Sequence, residues 1–238
     1  MRLTLLGVYG PFPASGKGCS SYLVEDGDTR ILLDCGSGAL AKCRDLYPEL
    51  PLRLDAIVLS HMHADHAGEI HLFRYMAEFG KLKTPVHVFS PETDNLQYPV
   101  FNTVRTHDGM QITIGSLTLA FTAVHHAVPT MGVRITDASG HSIFYTGDTG
   151  WFEGLITAAR GADLLLADAC LRDESNGKAL KNHMTVAQVL SLRQKAGCYA
   201  AVLTHLYDDG TEYPAIIDRR CIYAEEGSIF EILSHDSE

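Results

Sequence analysis

Asp55-Ala56-Ile57-Val58-Leu59-Ser60-His61-Met62-His63-Ala64-Asp65-His66 is the stretch that decides how this chain reads. Asp55 to Ser60 is a compact, largely apolar run with β-branched residues at Ile57 and Val58, as a short buried strand requires. It delivers the chain to His61, His63, Asp65 and His66, all side chains that ligate metals. Imidazole and carboxylate together suit zinc, manganese or iron. In an extended chain a two-residue step returns side chains to one side, so His61 and His63 can serve one cation. Asp65 and His66 turn the chain toward a helix near Ala67 and can face a second cation beside the first. A lone histidine here would be loop filling. This grouping of ligand types is not.

Outward from that stretch, strands come in runs with helices inserted. Arg2 to Val8 opens the chain as a strand and stops at Gly10-Pro11-Phe12-Pro13. Ser21 to Glu25 and Arg30 to Asp34 flank Asp26-Gly27-Asp28-Thr29 as a hairpin. Asp34-Cys35-Gly36-Ser37-Gly38 breaks the second strand before a short helix from Ala39 to about Tyr47. Gly7, Gly10, Gly36 and Gly38 are read as turns in preference to close approaches to a site. In the helix from Ala67 to Phe79, Leu72, Tyr75, Met76 and Phe79 define the apolar face, taken as core in preference to interface. Val86 to Phe89, Leu164 to Ala167 and Ala201 to Thr204 read as strands. Gln111 to Val124 splits at Gly115-Ser116 into two strands, and Gly132 to Tyr145 splits at Ser139-Gly140. Thr185 to Ala196 is a helix with Val186, Val189, Leu190 and Arg193 on one side, ended by Gly197. Pro214 to about Glu225 is expected as a last helix before a strand from Ile229 to Leu233. Two similar halves are expected to meet near residue 125. With no linker or short-period repeat, residues 1–238 read as one layered α/β domain.

The composition is that of an ordinary globular protein, 46% hydrophobic and 20% charged, with a formal net charge of -10. That balance speaks against broad binding to long nucleic acid, which needs a basic surface. It leaves room for a small anionic substrate, because bound cations reverse the local field. No apolar run approaches the roughly 20 residues that span a bilayer, and Met1 to Tyr9 is too short for a signal peptide. The six cysteines show no Cys-x-x-Cys pairing and read as buried reduced thiols of a cytoplasmic protein.

Further ligand types recur along the chain: His125-His126-Ala127-Val128-Pro129-Thr130, Tyr145-Thr146-Gly147-Asp148-Thr149 and Leu203-Thr204-His205-Leu206. Together with His-x-His-x-Asp-His after an apolar strand, they resemble the metal motifs of the metallo-β-lactamase superfamily, in their ribonuclease Z-like and phosphodiesterase-like form. The resemblance runs from the first strand to beyond His205. It implies a four-layer αββα sandwich with the metals at one edge of the sheets. Carried over, it implies one metal on His61, His63 and His126, another on Asp65, His66 and His205, and Asp148 bridging them. His125 competes with His126, which is preferred because the Val-Pro that follows keeps the family offset; His125 then reads as a supporting or buried imidazole. His71, His87, His107, His141 and His235 match no motif and read as surface or core filling.

Asn182-His183-Met184-Thr185 at a helix start resembles the His-x-Thr segment of ribonuclease Z and its phosphodiesterase relatives. There the resemblance implies that His183 protonates a leaving oxygen, with Asp168 as its acidic partner. A carboxylate bonded to an imidazole orients it and raises its pKa, which suits a general acid. Asp65, His183 and Asp168 are the catalytic candidates. The expected activity is metal-assisted hydrolysis by hydroxide of small or short nucleotide-type phosphodiesters, with two divalent ions, zinc favoured and manganese or iron compatible. Between His66 and His126 the chain lacks the Gly-rich basic arm with which ribonuclease Z grips transfer RNA. Thioester or lactone hydrolysis on the same cage is the second reading, and a non-catalytic metal-binding scaffold, weakened by the intact ligand set, the third. A homodimer is open.

Overall fold

The computed structural model describes the chain except for residues 174, 176, 211, 215 and 234–238. The first half supplies β1 (Arg2–Gly7), β2 (Ser21–Asp26), β3 (Thr29–Leu33), β4 (Ala56–Val58), β5 (Val86–Ser90) and β6 (Phe101–Arg105). The second supplies β7 (Gln111–Ile114), β8 (Leu117–Ala123), β9 (Met131–Thr136), β10 (Ser142–Tyr145), β11 (Leu164–Asp168), β12 (Ala200–Thr204), β13 (Ile216–Asp218) and β14 (Cys221–Tyr223). β15 (Ile229–Glu231) then returns to the first sheet, antiparallel to β1. Five α-helices are described: α1 (Ala39–Leu46), α2 (Ala64–Ala67), α3 (Ile70–Glu78), α4 (Gly154–Ala159) and α5 (Val186–Ala196).

Among the described residues the first sheet has the order β15-β1-β2-β3-β4-β5-β6 and the second β13-β14-β12-β11-β10-β9-β8-β7. Both are mixed: β3 to β6 run parallel, as do β10, β11, β12 and β14, while antiparallel pairs make up the rest. Strands covered on both faces become continuous apolar runs rather than alternating ones. Leu164–Asp168 is buried at every position for this reason. Along β3, Ile31 and Leu33 face the inter-sheet core, against Ile135 and Ile143, while Leu32 packs outward under α1 and α3. α4 and α5 cover the second sheet through Leu155, Val189 and Leu192. The result is the four-layer αββα sandwich. Among the described residues no helix is long and apolar enough to cross a membrane.

Four expectations need correction. The stretch from Pro214 to Glu225, whose residue 215 lies outside the described residues, forms no helix among those described. It contains β13 and β14, joined where Asp218 accepts from the backbone N–H of Arg220 at 2.7 Å, a local bond that competes with helix. Cys221-Ile222-Tyr223 then pairs with β12. The expected Ala67–Phe79 helix is interrupted: Ala67 ends α2, α3 starts at Ile70, and between them the backbone N–H of Glu69 leaves the helical ladder to donate to the Cys35 carbonyl at 2.9 Å, while the Glu69 carboxylate accepts from the N–H groups of Gly38 and Leu40. The buried face of α3 is Ile70, Phe73 and Ala77, whereas Leu72, Tyr75 and Phe79 are exposed. The halves divide at residues 106–110, between β6 and β7, not near 125. On α5, Val189, Leu192 and Ala196 are the buried residues, and Thr185 caps the helix with Gln188 in a capping box.

Candidate metal centre

The fold brings the carboxyl ends of β4, β10, β11 and β12 to one edge of the sandwich, and a candidate ligand or partner lies just beyond or at each end. His61 and His63 follow β4, Asp148 follows β10, Asp168 ends β11, and His205 follows β12. Asp65 and His66 lie in α2, and His126 in the loop after β8. His205 has a left-handed backbone, φ 54°, a conformation that a non-glycine residue keeps only when its surroundings hold it. Backbone bonds on the next residue supply part of that hold, Leu206 N–H to the Val8 carbonyl at 2.9 Å and Gly10 N–H to the Leu206 carbonyl at 3.2 Å, and Gly10 leaves room for the ring, since a β-carbon there would collide with it. A β-carbon on Gly36 would likewise strike the Asp65 carbonyl. Both glycines are close approaches to the site, where the sequence suggested turns.

Two clusters result. In one, His63 Nδ1 lies 3.0 Å from His61 Nε2 and 3.2 Å from His126 Nε2, and Asp148 Oδ2 lies 3.8 and 3.9 Å from those two nitrogens. In the other, His205 Nε2 lies 3.0 Å from Asp65 Oδ2 and 3.2 Å from Asp148 Oδ2, while His66 Nε2 lies 3.2 Å from Asp148 Oδ1 and 3.5 Å from Asp65 Oδ2. Donors bonded tetrahedrally at about 2.0–2.2 Å to one cation sit roughly 3.3–3.6 Å apart. Asp148 belongs to both clusters.

The outer contacts fix which nitrogen faces inward. Ser60 Oγ donates to Asp34 at 2.8 Å and so accepts the Nδ1–H of His61 at 3.0 Å. His66 Nδ1–H donates to Asp34 at 2.8 Å, and His126 Nδ1–H to the carbonyl of Asn182 at 3.0 Å. Each Nε2 is therefore the nitrogen left to face the cluster and, once its ring is neutral, to offer a lone pair there. His66 Nε2 and Asp148 Oδ1 are buried without a hydrogen-bond partner, a costly arrangement for polar atoms unless a cation satisfies them. The donor set fits divalent metal.

The electrostatics agree. Burial and the neighbouring His66 push His61 down, and burial pushes His126 down, so both stay neutral. Burial works against the charged form of Asp148, but His205 and His66 overcome it and hold the carboxyl well below its usual range. Asp65 is likewise lowered, by its bond from His205 against the effect of burial. For His66 burial is outweighed by Asp148 and Asp34, which hold it well above the ordinary histidine value.

His183 Nδ1 lies 3.0 Å from Asp168 Oδ2 and 3.9 Å from Asp148 Oδ2, with its ring stacked on that of His205, centroids 5.2 Å apart. Burial opposes its charged form, yet the charge of Asp168 and the bond to it raise the pKa to about 9. Backbone N–H groups of Thr149 and Cys170 donate to Asp168 and fix its orientation. All seven candidate ligands and both members of the His183–Asp168 pair thus meet at one place. His125 does not join them; its ring stacks on Phe152, centroids 4.1 Å apart. His141 pairs with Asp137, His87 with Asn102, and His235 lies outside the described residues. The six cysteines are free and buried.

Asp34 escaped the sequence reading. It is fully buried with φ 55°, and accepts from Ser60, His66 and Tyr145. Its sequence signal is an acid ending a strand just before Cys35-Gly36-Ser37-Gly38.

A four-layer sandwich with paired His/Asp clusters at the strand ends is the build of a metallo-hydrolase of the β-lactamase fold. Residues 29–206 match the beta-lactamase superfamily domain, and the chain belongs to that superfamily. It is 32% identical over 218 residues to the Probable metallo-hydrolase YhfI of Bacillus subtilis, covering 87% of each chain. The crystal structure of YhfI superposes with a TM-score of 0.84 at 26% identity, covering 96% of this chain and 98% of that one. The mitochondrial ribonuclease Z of Drosophila melanogaster is 28% identical over 236 residues, 86% of this chain and 31% of that protein. A diphosphatase of the PhnP family shares the fold, with a TM-score of 0.75, 20% identity and 97% of both chains covered.

Proposed function

We propose that the protein is a dinuclear phosphodiesterase acting on small or short nucleotide-type phosphodiesters. The observation that carries this reading is His183, held by Asp168 at 3.0 Å beside the metal cage, where a leaving oxygen needs a proton. Kinship with a ribonuclease Z supports a bond to phosphorus. His61, His63 and His126 would hold one cation, Asp65, His66 and His205 the other, and Asp148 would lie between them. Zinc suits this nitrogen-rich set, and manganese or iron also fit. When bound, two divalent ions would supply Lewis acidity toward a phosphoryl oxygen and lower the pKa of a water toward neutrality.

The remaining chemistry belongs to the chain. Asp168 takes the Nδ1–H of His183, which leaves the Nε2–H to move toward the departing alcohol. Stacking on His205 keeps the ring in that plane. Asp34 and Asn182 engage the Nδ1–H groups of His66 and His126, so in each neutral ring the inward nitrogen would be the acceptor. The chain's net charge of -10 favours a small diester over a long polyanion.

The test is a screen of bis-p-nitrophenyl phosphate against a thioester and a lactone. The diester should be the substrate turned over. His183→Ala should slow alkyl leaving groups by roughly 10²–10⁴-fold, and activated aryl leaving groups far less. Equal slowing of both would remove His183 as the acid, and turnover of the thioester alone would give the site to acyl chemistry.

A further inference from the structure

We infer that the cleft into which His183 opens is the leaving-group subsite, and that it selects a neutral, planar alcohol such as a nucleoside over one bearing a further phosphate. The inference rests on the phosphodiesterase reading and adds the substrate's orientation and class. A cleft of about 460 Å³ adjoins the metal cage, with His183 in its wall. In hydrolysis a water oxygen bonds to phosphorus and sheds a proton to solvent, the bond from phosphorus to the alcohol oxygen breaks, and a proton passes from His183 Nε2 to that oxygen, His183 being reprotonated from solvent. A group that gives up this proton must lie next to the departing oxygen, so the alcohol projects into the cleft lined by His183.

The chemistry of the walls defines that alcohol. Pro11, Leu171 and Tyr207 supply apolar surface. Tyr207 is 41% exposed and carries Phe12 edge-on against its ring at 5.6 Å, an arrangement that braces one face for stacking. Among the described lining residues the charged side chains other than His183 are Arg172, Asp173 and Asp209. Asp209 accepts two bonds from Arg172, at 3.0 and 3.2 Å, and the guanidinium lies 3.8 Å over the Tyr213 ring. Beyond His183, whose proton goes to the departing oxygen, the guanidinium is thus paired with a carboxylate, and Asp173, which accepts from the Ser175 N–H at 2.8 Å, adds a second carboxylate. Away from the departing oxygen such a wall offers a further phosphate a guanidinium already paired and two carboxylates, while the Tyr207 face suits a neutral ring. The size agrees too: the cleft lies within the range of small-ligand pockets, roughly 300–1,000 Å³.

The experiment uses the zinc-loaded full chain and three diesters of one nucleotide, with products assigned by chromatography. Their leaving groups are methanol, a neutral nucleoside, and the same nucleoside carrying a terminal phosphate. The neutral nucleoside should give the highest kcat/KM, at least about threefold over its phosphorylated counterpart even with solvent screening. Tyr207→Ala should raise KM for the nucleoside diester roughly tenfold, the loss of one base–aromatic stack, with kcat held. Tyr207→Phe should restore the low KM, which separates stacking from misfolding. Asp209→Asn should narrow the preference against the phosphorylated alcohol. Equal or better cleavage of the phosphorylated diester, or a Tyr207→Ala loss that falls in kcat alone, overturns the subsite. If none of the three is cleaved while a thioester is, the phosphodiesterase reading falls and the subsite falls with it.

Discussion

Asp34 shows how much of the site's organisation can rest on one carboxylate. Its oxygens accept from Ser60 N at 2.7 Å, Ser60 Oγ at 2.8 Å, His66 Nδ1 at 2.8 Å and Tyr145 Oη at 2.6 Å. Through His66 it orients one cluster, and through Ser60 and His61 the other. Asp34→Ala should therefore weaken metal affinity about 10–100-fold, the usual cost of losing such a partner, as read by competition with a chromophoric chelator. An unchanged affinity would show that the ligands orient themselves. The seven candidate ligands stand in recognisable motifs, but Asp34 acts through a neighbour 26 positions away and becomes visible only when β3 and β4 lie side by side. His183 yields a pH prediction. Its pKa is raised to about 9, so the proton it would donate as the proposed acid is present below that value and lost above it. Bound cations favour the neutral ring, which places the alkaline limb of the rate profile at or below pH 9. In Asp168→Asn the favourable carboxylate charge is gone while burial and the cations remain, so the limb should move to lower pH. A limb that stays in place would free His183 from the profile.

At the scale of elements, α3 separates what periodicity can and cannot tell. Residues 70–79 contain two interleaved apolar series, Ile70-Phe73-Ala77 and Leu72-Tyr75-Met76-Phe79, and both satisfy a helical repeat. The longer series looked like the core face, yet the packing against β3, β4 and β5 selects the other. The sheet decides this phase, and the helix sequence does not contain it. Phe73 is fully buried and Phe79 is 76% exposed. Phe73→Ala should cost about 3–5 kcal/mol, and Phe79→Ser should stay within about 0.5 kcal/mol, both from denaturant titrations. A large loss for Phe79→Ser would mean that this face is covered in solution. α5 was legible for the opposite reason: Thr185, Gln188 and Gly197 mark its ends by local chemistry that needs no tertiary partner. α4, with six residues, is too short to show a period, and β6 at the sheet edge alternates too weakly to stand out.

Across the whole molecule, the cage spans the sandwich. His61, His63, Asp65 and His66 come from the half that builds the first sheet, while His126, Asp148 and His205 come from the second. The class of sandwich was legible from its buried strands and site motifs, but the return of β15 to β1 was not, since nothing local in Ile229–Glu231 names a partner more than two hundred residues away. A cation held by this cage links the two sheets and binds only the folded chain, so it must stabilise the fold. At a free zinc concentration about 100 times Kd the gain is roughly 2.7 kcal/mol, or about 5–10 °C in Tm for a chain of this size, and a chelator should reverse it. Proton release is the accompanying signature. In the bare cluster Asp148 and Asp34 hold His66 well above its ordinary pKa, so at pH 7 it carries a proton that a metal must displace. Zinc loading at pH 7 should then release protons, seen as a calorimetric enthalpy that depends on the ionisation enthalpy of the buffer, and affinity should fall as pH falls because more proton must be displaced. An enthalpy independent of buffer, or a Tm unmoved by zinc, would place the cation away from the bond between the two sheets.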